Sequence, residues 1–325
     1  MNRRNAVLVL IALGAAPLAA FTQQQGKVWR IGFISARPAR GPNEAVFRAG
    51  LRELGYVEGQ NVTIEWRFGK GETERYRENA AELVRLKMDC IVAVGVDATL
   101  QTKLTTNSIP VVMVSANEDP VRRGLVASLA QPGGNVTGFT VMGADLAGKR
   151  LEFLKEILPK AKHIALLWDP HSLAATSHVV ASETAARALG VRVQALDVGN
   201  ADALESAIQS ASKGGAQALV VVGTGLMNSH QARLANLAAK ARLPAIYTTS
   251  QFVDAGGLMS YAADGIEQYQ GAATYVARVL KGEKPANLPV QQPTKFELVI
   301  NLKTAKALGI TIPQSLLLRA DRVIE

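Results

Sequence analysis

The sequence predicts an α/β protein of two doubly wound lobes, each a parallel sheet covered by helices on both faces, joined by several chain crossings. Three observations carry that reading. Short apolar runs such as "CIVAVG" (90–95) and "ALVVVGTG" (218–225) alternate with helical segments, the pattern of strands buried on both faces. The alternation runs through two successive series. The chain then continues for some sixty residues of different character, enough to return to the first series.

In order, "WRIGFIS" (29–35) reads as the first strand and "NEAVFRAGLRELG" (43–55) as a helix closed by Gly55. "NVTIEWRF" (61–68) alternates like a more exposed strand. "TERYRENAAELVRLK" (73–87) reads as a helix with Thr73 as N-cap and early glutamates that suit the helix dipole. "CIVAVG", a short helix from Asp97 or Ala98, and "PVVMVSAN" (110–117) complete the first lobe. The turn-rich "SLAQPGGNVTG" (128–138) is expected to carry the crossing into the second. There the reading is a helix from about Asp145 to Leu158, "HIALLWDP" (163–170), a helix over 172–189, and "VRVQALDV" (191–198). A helix over 201–213, "ALVVVGTG", a helix over 229–242 and "AIYTTS" (245–250) follow. The expected divisions are a leader at 1–20, a first lobe at 28–140, a second at 141–260, and a return segment at 261–325 that completes both.

The leader reading rests on Arg3 and Arg4, an apolar core from Ala6 to Ala16, and "LAA" before a cleavage site after Ala20. It predicts an exported, periplasmic protein, by either the general or the twin-arginine route. No cysteine follows the apolar core to take a lipid, and Cys90 is a single small core residue, so no disulfide framework exists. The formal charge of +9 falls to +7 when Arg3 and Arg4 leave with the leader. The basic residues scatter among glutamates along helices, without the clustering and interleaved aromatics of a nucleic-acid surface. No nucleic-acid partner is therefore expected.

"GADLAGKR" (143–150) has the spacing of a phosphate-cradling loop, but Arg150 stands where a magnesium-ligating hydroxyl is required. An exported chain also meets no ATP pool, so no bound ATP is expected. The apolar positions Leu146, Phe153, Leu154 and Ile157 instead make this the start of an amphipathic helix. The four histidines, His163, His171, His178 and His230, form no recognised metal spacing, and no G-x-S-x-G elbow is present. No metal, no cofactor, no catalytic residue and no enzymatic activity are expected.

In open parallel sheets, ligands sit beyond the carboxyl ends of the strands. The loops there offer Ser35, Asp97, Thr99, Ser115, Asn117 and Asp119 in the first lobe. The second lobe offers Trp168, Thr224, Thr248, Gln251 and Tyr261. Hydroxyls, amides, helix-start N–H groups and one or two aromatics suit a small polar ligand with a carboxylate. Asp97 and Asp119 also suit turn caps, Trp168 lobe core, and Tyr261 hinge packing.

"DPVRRGLVASLAQPGGNVTGFT", "GKRLEFLKEILPKAKHIALLWDP", "ARLPAIYTTSQFVDAGGLMSYAAD" and, most specifically, "PTKFELVINLKTAKALG" carry a family likeness over about residues 28–325. The chain resembles the ABC-transporter substrate-binding proteins that include tryptophan- and tyrosine-binding lipoproteins. The resemblance implies a type I periplasmic-binding-protein fold with three hinge crossings. It further implies a monomer that closes on a small organic ligand, carboxylate or amino-acid-like, and presents it to an inner-membrane permease. The ligand-contacting loops of that family match those holding the eleven residues above. One departure bears on the ligand: the family often has an acidic residue in the loop that here reads "GTGLMN" (223–228), where it faces a ligand amine. A sensory subunit of the same fold, or an exported enzyme on the same scaffold, are the competing readings.

Overall fold

A computed structural model describes residues 27–37, 39–141 and 143–325. The expected leader at 1–20 lies outside the described residues.

The first lobe runs β1 (Trp29–Ser35), α1 (Pro42–Glu53), β2 (Val62–Phe68), α2 (Thr73–Arg85), β3 (Cys90–Val94), α3 (Val96–Thr105), β4 (Val111–Ala116) and β5 (Val136–Thr140). Its strands form one sheet in the order β2-β1-β3-β4-β5, every neighbouring pair parallel. The second lobe opens with a 3₁₀ turn at Gly143–Leu146 and runs α4 (Ala147–Ile157), β6 (His163–Trp168), α5 (Ala175–Ala188), β7 (Arg192–Asp197) and α6 (Ala203–Lys213). There follow β8 (Ala218–Val221), α7 (Gly225–Ser229), α8 (Gln231–Lys240), β9 (Ala245–Tyr247), α9 (Gln251–Asp254) and β10 (Met259–Ala263). The tail supplies α10 (Gly265–Leu280), β11 (Phe296–Asn301), α11 (Leu302–Leu308), α12 (Gln314–Leu317) and β12 (Arg322–Ile324). The second sheet has the order β12-β11-β10-β9-β8-β6-β7.

Strand parity explains the covering on both faces. On β1, Ile31 and Phe33 pack with Phe47 of α1 and Val276 of α10, while Ile34 packs with Leu83 and Met113 on the other side. On β6, Ile164 and Leu166 meet Leu151 and Leu154 of α4, whereas Ala165 and Leu167 meet Leu204 and Ile208 of α6. Successive side chains of a strand point to opposite faces, so an unbroken apolar run fills two cores at once.

The chain crosses between lobes three times. It leaves the first sheet after β5, returns after β10 when α10 packs on α1, β3, β4 and β5, and crosses again beyond Gln291 to place β11 in the second sheet. The return segment is tied to the first lobe by Val290 N–H donating to the Leu129 carbonyl and Gln291 N–H to Gly138.

Several sequence expectations need correction. The segment 128–138 is not the crossing: Val136–Thr140 is a fully buried edge strand, and the chain leaves only after it. Gly138 makes this possible, since a Cβ there would lie 2.0 Å from the Met113 carbonyl oxygen. Thr73 is not the N-cap of α2; that place belongs to Glu72, with no side-chain cap bond. The helix expected over 229–242 is α8, Gln231–Lys240, with the short α7 as an unexpected turn of helix before it, and the helix expected over 172–189 begins only at Ala175. The second sheet is not wholly parallel, because β11 runs antiparallel to β10. Among the described residues no helix is long and apolar enough to cross a membrane.

Candidate functional site

The carboxyl ends of β3, β4, β8, β9 and β10 face one another across a cleft between the lobes. Strand ends gather there because every βα unit of a doubly wound sheet points its helix-starting loop the same way. A shift of register between Met113 and Ala116 interrupts the β4–β5 ladder, and Ser115 in that interval has φ +52°. A left-handed non-glycine residue is strained, and here the strain turns Ser115 into the cleft. Its Oγ donates to Gln268 Oε1 at 3.1 Å.

The lobes touch each other around this cleft. Asn117 Nδ2 donates to the Gly223 carbonyl at 2.8 Å, and Ser229 Oγ to the Ala36 carbonyl at 2.7 Å. Gln251 Nε2 donates to Asn43 Oδ1 at 3.3 Å. Asp97 Oδ2 accepts from Ser172 Oγ at 3.0 Å, and its Oδ1 from Leu173 N–H at 3.1 Å. Beside it, Arg123 bonds the Leu173 carbonyl and Glu118 bonds Ser177. The first lobe thus grips the residues that lead into α5. Burial pushes the Asp97 carboxyl above its usual range, and the two donors act against that rise.

Six of the eleven residues singled out from sequence line the cleft: Asp97, Ser115, Asn117, Thr224, Thr248 and Gln251. Thr248 Oγ1 accepts from Gly223 N–H at 2.6 Å, and Thr224 caps α7 by accepting from Met227 N–H. The other five do not line it, each for a local reason. Ser35 is buried with its Oγ 3.4 Å from Glu44 Oε1, a carboxylate that also accepts from Gly41 N–H at the start of α1. Thr99 is fully buried and its Oγ1 donates back to the Gly95 carbonyl at 2.7 Å. Asp119 closes its own turn, accepting from Val121 N–H at 2.9 Å and Arg122 N–H at 3.3 Å. Trp168 packs against the α4 side of the second core. Tyr261 stacks edge-on to Phe153, with ring centroids 5.0 Å apart.

Sequence reasoning missed Arg150 and His178. Arg150 sits on α4 with only 2 % of its surface exposed, yet it lines the cleft. Its Nε donates to the Tyr261 carbonyl at 2.9 Å and its Nη1 to the Gly143 carbonyl at 3.0 Å. It has no carboxylate partner among the described residues, and burial pushes its pKa down to about 9. Its position was legible: Leu146, Arg150, Leu154 and Ile157 recur at helical spacing, so a cation stood in the apolar stripe. His178 of α5 is equally buried, and its Nε2 has no hydrogen-bond partner. Burial, then the nearby Arg150, push its pKa down to about 3, so the ring is neutral at ordinary pH. Asn228 Oδ1 and Thr249 Oγ1 are two further buried, unpartnered atoms of the lining.

The resemblance to a phosphate loop has no counterpart here. Gly148 and Lys149 lie inside α4, and Lys149 pairs with Glu152 at the surface. Among the described residues no group of three or more His, Cys, Asp or Glu is placed to hold a metal.

The family model described as "ABC transporter substrate binding protein" matches residues 31–324. A tyrosine-binding protein of Clostridioides difficile is 27% identical over 265 residues, covering 81% of this chain and 75% of its own length. The crystal structure of an ABC domain in complex with L-Trp from Streptococcus pneumoniae superposes with a TM-score of 0.83 at 27% identity, covering 91% of this chain and 99% of that one. A conserved domain protein from Vibrio cholerae gives a TM-score of 0.84 at 26% identity, covering 91% and 100%. With two doubly wound lobes, three crossings and a cleft between facing strand ends, the chain belongs to the ABC transporter substrate-binding protein family and has the type I-like fold of periplasmic binding proteins.

Proposed function

We propose that this chain is the solute-capturing component of an ABC importer, taking a small carboxylate-bearing organic molecule between its lobes and delivering it to an inner-membrane permease. The observation that carries the reading is Arg150, a buried guanidinium in the cleft wall whose partners are two carbonyls and no acid. A buried cation without an anionic partner costs several kcal/mol, and a ligand carboxylate supplies the missing charge. A ligand touching both lobes gains its full contacts only when they are shut, so its binding energy shifts the population toward the closed form. That closed form is the one a permease distinguishes from the empty receptor.

On this reading the chain works as a periplasmic monomer after removal of residues 1–20. The intact mass of the mature protein checks the cleavage, and sedimentation checks the monomer. The function itself is tested by thermal unfolding of residues 21–325 against aliphatic and aromatic carboxylates, amino acids, sugars and nucleotides. A ligand at a hundred times its Kd adds about 2.7 kcal/mol, a shift of a few degrees for a chain of this size. Stabilisation by small acids that disappears in Arg150→Met supports the proposal. Stabilisation by sugars or nucleotides alone, undiminished in that variant, sinks it.

A further inference from the structure

We infer that the cleft selects a small hydroxycarboxylic acid without an ammonium group, its carboxylate on Arg150 and its hydroxyl hydrogen-bonded to His178 Nε2. This rests on the receptor reading above and narrows its ligand.

The charges in the cleft lead there first. Among the described lining residues Arg150 is the single cation and Asp97 the single carboxylate. Asp97 is already committed across the cleft, each oxygen accepting one bond from the residues leading into α5. Arg150 is bonded only to carbonyl dipoles, and its Nη2 has no partner among the described residues. A monoanion neutralises the guanidinium and leaves no charge over. An amino-acid zwitterion brings an additional buried ammonium that finds only dipoles and a carboxylate engaged elsewhere, which is costly in a dry site. The loop over 223–228, "GTGLMN", carries no acid to meet it.

The second half comes from His178. A neutral imidazole has one N–H and one lone pair. His178 Nε2 is a buried ring nitrogen with no partner among the described residues, and a ligand hydroxyl meets it in either tautomer, donating to a lone pair or accepting from an N–H. An ammonium, which only donates, meets that nitrogen in one tautomer alone, and a carboxylate oxygen, which only accepts, in the other. Gly143 places the two groups at one end of the cleft: its carbonyl holds Arg150 Nη1, and a Cβ on it would lie 3.1 Å from His178 Nε2. Carboxylate and hydroxyl therefore belong to the same end of the ligand. The cavity volume of about 130 Å³ limits the rest. It is close to that of an apolar cavity of about 150 Å³ that holds one benzene.

The test uses the full mature protein and pairs of acids that differ only in hydroxyl against amine: lactate and alanine, glycerate and serine, mandelate and phenylglycine, phenyllactate and phenylalanine. Calorimetric titration is expected to show at least one hydroxy acid bound ten-fold or more tighter than its amine partner. The same hydroxy acid is expected to exceed its deoxy analogue, and His178→Phe is expected to erase that second preference while keeping the first. An amino acid bound as tightly as its hydroxy partner overturns the inference and leaves the receptor reading intact. No binding by any acid or amino acid, with a sugar or nucleotide bound instead, overturns both. The pairs are compared on the unaltered protein, so a variant that fails to fold does not remove the test.

Discussion

Gly71 sits against the opposite lobe, and adding one methyl there acts on closure more than on folding. Its φ is +82°, and a Cβ would lie 2.4 Å from the Leu226 backbone nitrogen and 2.5 Å from the Gly225 carbonyl carbon, both in the opposite lobe. Ordinary contact begins near 3.4 Å, so Gly71→Ala parts the lobes locally by about 1 Å. The Ser229–Ala36 bond at 2.7 Å and the Asn117–Gly223 bond at 2.8 Å then stretch beyond hydrogen-bonding range. At about 1 kcal/mol each, their loss weakens the closed form by about 2 kcal/mol, or roughly thirty-fold in ligand affinity. The left-handed alanine costs about another 1 kcal/mol, but in the open and closed forms alike, and so lowers the melting temperature without changing affinity. The assay is calorimetric titration with whichever acid the unaltered protein binds, with small-angle scattering of the liganded protein alongside. Wild-type affinity and an unchanged scattering curve in a folded Gly71→Ala protein would refute the argument that closure brings Gly71 against Gly225 and Leu226.

Three further outcomes follow from the same structure. The folded state keeps His178 neutral, with its pKa pushed down to about 3 from 6.5, while the unfolded chain takes up a proton below 6.5. Stability is therefore present in full above about pH 6.5 and falls as pH drops toward 3. By pH 5 the loss is about 2 kcal/mol, and urea unfolding at pH 7 and pH 5 should show it in the wild type and not in His178→Gln. Asp119→Ala should cost about 1 kcal/mol through the two turn N–H groups it leaves unmet. Its ligand affinity should stay unchanged, and a ten-fold loss in titration would return Asp119 to the site. Leu151→Ala empties a fully buried position between α4 and the second sheet and should cost about 3–5 kcal/mol in urea unfolding.

The sequence determined the architecture because alternating apolar strands and amphipathic helices admit few arrangements other than doubly wound lobes. It also located six residues of the cleft lining. Asp97, Asn117, Thr224 and Thr248 follow strands, and in a parallel sheet the residue after a strand necessarily lies at the ligand-facing edge. The same rule brought in Ser35 and Thr99 wrongly. Whether a residue at that edge turns toward the cleft or back into its own lobe depends on local bonds, to Glu44 in one case and to the Gly95 carbonyl in the other.

Only the tertiary structure decided the rest. Arg150 and His178 lie on helices, where one-dimensional pattern distinguishes a buried face from an exposed one but does not say what the buried face meets. Each becomes part of the cleft because α4 and α5 are laid side by side near the first crossing, with Gly143 between them. The interlobe contacts of Asp97, Asn117 and Gly71 join residues from about 75 to more than 150 positions apart. Such contacts arise from how two separately wound sheets face each other, and short-range periodicity holds no record of that.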